Sequence, residues 1–159
     1  MHLKIIAVGK LKEKYLTQGV KEYLKRLTPF ARVEIIEVGE ERLPDRSRPL
    51  EEAAAREREG QAIRRQIKPG SFTIALVIEG KQLTSEQFAE MFADLDLRGQ
   101  NEINFIIGGS TGLADSIINQ ADFKLSFSKM TFPHQLMRLV LLEQIYRAFK
   151  INRGETYHK

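Results

Sequence analysis

The chain has 159 residues, 42% of them hydrophobic and 29% charged, and its 25 Lys and Arg against 21 Asp and Glu leave a net charge of +4, a mild preference for an anionic partner. That length suits one domain, residues 1–159, and no run approaches the ~20 apolar residues that span a bilayer. The lack of cysteine excludes disulfides and thiolate chemistry, the histidines at 2, 134 and 158 lack metal-ligand spacing, and the start Met1-His2-Leu3-Lys4-Ile5-Ile6 is not built like a signal peptide, so a cytoplasmic protein with no metal and no membrane partner is expected.

Leu3 to Gly9 is a β-branched apolar run ended by glycine, the pattern of a buried strand. Leu16, Val20, Tyr23, Leu24 and Leu27 then recur at helical spacing until Pro29 stops them. Arg32 to Gly39 reads as a second strand, and Glu40 to Pro49, with two prolines and six charges, as a surface loop. Glu51 to Gln66 is helix-forming and mostly charged, either a solvated face or one that touches RNA. Phe72 to Ile78 predicts a third strand, closed by Glu79-Gly80-Lys81. Thr84 and Gln87 have capping-box spacing ahead of a helix whose Phe88, Met91, Phe92 and Leu95 share one stripe. Ile103 to Ile107 is a fourth strand, Leu113, Ile117 and Ile118 suit a short helix, and Phe123 to Phe127 alternates as a fifth strand before a long helix that starts near Pro133.

Five strands alternating with five helices predict an α/β fold, a mostly parallel sheet flanked by helices. The last helix is apolar on more than one stripe, through residues such as Leu136, Val140, Leu142 and Phe149. Part of it is therefore expected to pack beyond its own sheet, most simply against a second copy of the chain.

The loop Gly108-Gly109-Ser110-Thr111-Gly112 follows the fourth strand, where open α/β sheets bind ligands. Its glycines permit φ > 0 and close approach to another molecule, so it is either a ligand loop or a plain strand-to-helix turn. The spacing is not G-x-G-x-x-G and no lysine follows, which disfavours a nucleotide-phosphate binder. The closing Asn152 to Lys159 is polar and rich in groups that do chemistry, or else a frayed end.

Several stretches resemble one family when taken together: Ile5 to Lys10, Ile107-Gly108-Gly109-Ser110, Leu125 through Phe127-Ser128-Lys129-Met130-Thr131-Phe132-Pro133-His134, Tyr146-Arg147-Ala148 and the final Tyr157-His158-Lys159. The family is RlmH, the SPOUT-class methyltransferases of bacterial large-subunit ribosomal RNA, and the resemblance covers essentially the whole chain. It implies a C-terminal trefoil knot, a rare exception to the rule against knots. It also implies a homodimer, S-adenosyl-L-methionine as methyl donor, and N3 of pseudouridine 1915 in 23S ribosomal RNA as acceptor, in the assembled ribosome or as free RNA. Cofactor contacts carry over to Leu76, Gly108 and Phe127, Ser128, Lys129, Met130, Thr131 and Phe132.

Methyl transfer from a sulfonium requires alignment and removal of the imide proton. His158 or Tyr157 is expected to position the base or assist deprotonation, and Arg147 or Arg138 to bind phosphate or stabilise negative charge. Glu143, four residues before Arg147, offers it a helix salt bridge instead. His134, beside Pro133 at a helix start, is expected to cap or pack rather than to take a direct chemical role. The competing class is a non-catalytic ribosome- or RNA-binding protein of the same fold, which would not depend on the methyl donor.

Overall fold

Alternation along the central strands decides the layers. In the computed structural model, which describes residues 1–159, β1 (His2–Val8) sends Leu3, Ile5 and Ala7 to one face and Ile6 and Val8 to the other, and β4 (Glu102–Ile107) does the same with Ile103, Phe105 and Ile107 against Ile106. Strands buried on both faces belong in the middle of a parallel sheet, and the order is β2-β1-β4-β3-β5, with β2 at Arg32–Val38, β3 at Phe72–Gln82 and β5 at Phe123–Ser126. All four pairings are parallel, so the sheet is parallel throughout and not merely mostly so.

One face carries α1 (Lys14–Leu27), α3 (Ser85–Leu97) and α5 (His134–Asn152), around a core that includes Leu27, Phe92, Phe105 and Leu142. The other carries α2 (Pro49–Arg64) and the short α4 (Asp115–Gln120), around Ile6, Ile63, Ile106 and Ile117. The capping box closes as expected, with Gln87 N–H donating to Thr84 Oγ1 at 3.0 Å and Thr84 N–H to Gln87 Oε1 at 2.9 Å. No helix is long and apolar enough to cross a membrane.

Two features shape the carboxyl edge of the sheet. The stretch Glu79-Gly80-Lys81 does not close β3. The strand continues to Gln82, and its register slips so that both Leu76 and Lys81 lie opposite Leu125. Gly80 permits this, because a Cβ there would stand 2.7 Å from the backbone of Lys124. The second feature is Arg138, 1% exposed, which donates to Glu37 Oε2 at 2.5 Å and to the Gly9 carbonyl at 2.7 Å. It fastens the first turns of α5 to the ends of β1 and β2, and that burial removes it from the candidates for binding phosphate.

Candidate functional site

Three bends meet at the carboxyl ends of β3, β4 and β5. Leu76 to Glu79 swings out where β3 slips past β5, Ile107 to Leu113 forms the glycine loop, and Phe127 to Phe132 crosses from β5 toward α5. Between them lies a cavity of about 520 Å³, half of whose 22 lining residues are hydrophobic. Its size and character are those of a small-molecule site.

Each bend is held locally. Gly108 is needed for space: a Cβ there would sit 2.8 Å from the carbonyl carbon of Gly112 and 3.1 Å from Leu113. Of the glycines in this loop only Gly112 has positive φ, at 83°. Glu40 Oε1 accepts the Ser110 N–H at 3.2 Å and its hydroxyl at 3.0 Å, and Arg56 Nη1 donates to the Thr111 carbonyl at 3.4 Å. In the third bend Met130 N–H donates to Ser128 Oγ at 3.0 Å, while Ser126 Oγ donates to the Ser128 carbonyl at 3.0 Å. This turn leaves Met130 74% and Phe132 41% exposed at the mouth.

The charged groups lining the cavity are Arg56, Glu79 and Asp115, joined by the imidazole of His134. Apolar walls, backbone bends, one guanidinium and two carboxylates fit a neutral purine nucleoside that carries a zwitterionic amino-acid tail. A triphosphate would meet more negative than positive charge here, and no lysine answers it. The chemistry of the lining therefore fits S-adenosylmethionine better than ATP.

Leu76, Gly108, Phe127, Ser128, Met130, Thr131 and Phe132 all line the cavity, whereas Lys129 stands exposed on the outside of the same turn. Arg147, Tyr157 and His158 come together, but not there. Arg147 donates to Glu143 Oε1 at 2.5 Å and to His158 Nδ1 at 3.1 Å. The Tyr157 hydroxyl donates to Glu143 Oε1 at 3.0 Å, and His158 Nε2 lies 2.7 Å from Glu86 Oε1. Arginine has no acceptor, so Nδ1 of His158 must accept and Nε2 must carry the hydrogen that Glu86 receives. Burial, reinforced by hydrogen bonds to Tyr23 and Glu143, pushes the Tyr157 phenol well above its usual range, and the bond to Glu143 raises Arg147 further. The hydrogen bond from His158 holds the Glu86 carboxyl below its ordinary value.

Arg56, Glu79 and Asp115 were not legible as site residues. Arg56 belongs to a helix whose charges read as solvent-facing, and its approach to Thr111 spans 55 positions of sequence that no local spacing encodes. Asp115, in the first turn after a glycine loop, carried the one usable signal.

A family model described as "Predicted SPOUT methyltransferase" matches residues 1–158. The chain is 58% identical over 159 residues to "Ribosomal RNA large subunit methyltransferase H" of Moorella thermoacetica, covering 100% of this chain and 99% of that one. It is 55% identical over 159 residues to the protein of the same name from Carboxydothermus hydrogenoformans, covering 100% of both chains. Two solved structures share the fold. A probable methyltransferase from Bordetella pertussis has a TM-score of 0.60 at 13% identity, over 92% of this chain and 95% of that one. A probable methylase family protein from Haemophilus influenzae has a TM-score of 0.59 at 10% identity, over 99% of this chain and 70% of that one.

Proposed function

The chain belongs to the SPOUT methyltransferase family, in the branch of the large-subunit ribosomal RNA methyltransferases H, and from that premise we propose that it methylates N3 of pseudouridine 1915 in 23S ribosomal RNA with S-adenosylmethionine. The observation that carries this reading is the meeting of three bends around one cavity whose lining suits a nucleoside with a zwitterionic tail. The donor brings a methyl group already activated by its sulfonium. The protein supplies binding, alignment and a place for the proton.

Leu76, Gly108 and the Phe127–Phe132 turn hold the purine and ribose through backbone groups and apolar contact. Arg56 faces the carboxylate of the tail, and Asp115 or Glu79 its ammonium. Exposed Met130 and Phe132 give the incoming base an apolar ledge at the mouth.

The Arg147, Tyr157 and His158 group enters from a second copy. Leu136 and Val140 are only partly buried on α5, and a two-fold axis crossing the helix near Val140 opposes residue 147 of one chain to residue 133 of the other. Such a homodimer brings each tail to its partner's cavity mouth, where Arg147 meets the RNA backbone and His158 and Tyr157 position the base. The connection from β5 to α5 is threaded in this reading as the trefoil knot of the family.

Incubating ribosomes that lack this methyl group with the protein and isotopically labelled donor, then digesting the RNA for mass spectrometry, tests the proposal. One labelled methyl on N3 of that pseudouridine is expected. An unlabelled nucleotide, or label on another base, refutes it.

A further inference from the structure

Removing the imide proton calls for a base that reaches the cavity. Of the three histidines, His2 is paired with Glu34 at 3.3 Å and His158 has both ring nitrogens engaged. His134 alone lines the cavity, and neither of its ring nitrogens is bonded to the rest of the chain.

The end of β1 lies close to this ring: a Cβ placed on Gly9 would have His134 Nε2 at 3.9 Å and Glu40 Oε2 at 3.3 Å, and the two side chains form no ion pair with each other. Glu40 is itself fixed through Oε1 by the N–H and hydroxyl of Ser110. The imidazole is carried at the first residue of α5, whose next turn is clasped by Arg138. Other charged groups around it are Arg56 of α2, Glu79 of β3 and Asp115 of α4 in the same cavity, with Arg138 on its own helix. The guanidinium accepts no proton.

We propose that His134 is the catalytic base, taking the N3 proton of the target pseudouridine. This rests on the methyltransferase reading above. The N3–H bond breaks and its proton passes to a ring nitrogen of His134. The electron pair left on N3 forms the N–CH3 bond, while the pair of the old S–CH3 bond stays on sulfur, turning the sulfonium into a neutral thioether. The imidazolium then returns its proton to water.

The test compares wild type, His134→Ala and His134→Gln in single-turnover methylation of ribosomes from about pH 5.5 to 9, a range that brackets the titration of imidazole, alongside calorimetric binding of S-adenosylhomocysteine. The wild-type rate is expected to rise with pH and level off. Both variants are expected to bind the thioether within about threefold of wild type yet to lose on the order of a hundredfold in rate near neutrality, with a rate that keeps climbing into alkali. Nitrogen-15 NMR of the histidine rings in the wild-type protein supplies a readout that needs no variant: adding S-adenosylhomocysteine is expected to shift the His134 signals more than those of His2. Variants within threefold of the wild-type rate across the range, or His134 signals indifferent to the ligand, overturn the assignment. A wild-type protein that methylates nothing while its His134 responds to the thioether refutes the substrate reading instead.

Discussion

Glu59 shows what a single side chain costs this fold. It is 4% exposed in α2, its Oε2 accepts the Glu41 N–H at 2.9 Å, and its Oε1 has no partner. Burial raises its pKa, the Glu41 N–H pulls back, and repulsion from Glu40 and Glu41 adds to the rise. A carboxyl whose folded pKa lies above its unfolded one favours folding most at acid pH, and that contribution is lost as pH rises through the folded value. Glu59→Gln keeps the acceptor for Glu41 and removes the charge. It is expected to raise stability at pH 7 by on the order of 1 kcal/mol, about 3 °C in melting temperature, with the gain shrinking toward pH 4. Thermal unfolding of both proteins at the two pH values checks this; a gain that grows in acid contradicts it. Sequence gave no sign of Glu59, because in a run as charged as Glu51 to Arg65 nothing local tells the one buried carboxylate from the solvated ones. Gly108 was legible as special but for another reason: its role is to make room for Gly112 and Leu113, not to adopt positive φ.

Among the elements, apolar runs, alternation and helical spacing located the strands and most helices, and helix-forming composition located α2. They failed where tertiary contact overrode a local signal. Glu79-Gly80-Lys81 has the composition of a turn, yet the sheet edge draws it back against Leu125, and only the missing Cβ of Gly80 lets the two backbones approach. Gly80→Ala is therefore expected to lower stability by about 2–3 kcal/mol through overpacking and to loosen the bend that forms one wall of the cavity. Thr84→Ala, a few residues on, removes a helix cap worth about 1 kcal/mol and leaves that wall intact. Denaturant unfolding of the two variants, each paired with donor binding, separates the cases. Equal loss of binding in both would show that the β3 slip does not shape the site.

For the molecule as a whole, the chain order of the pieces is what the sequence hid. Leu76, Gly108 and Met130 come from three different strand ends and share a cavity only because β4 inserts between β1 and β3 while β5 lies outside β3. Resemblance to a family supplied that grouping; no spacing did. Arg147, Tyr157 and His158 were grouped by their clustering near the carboxyl terminus, and in the fold they gather around Glu143 outside the cavity of their own chain. The most direct test of the account is titration calorimetry of S-adenosylhomocysteine into the wild-type protein and into Gly108→Ala, with ATP as control. The account predicts one thioether bound per chain, no binding of ATP, and affinity at least tenfold weaker in the variant. Binding of ATP in the thioether's place, or undiminished affinity in Gly108→Ala, would contradict it.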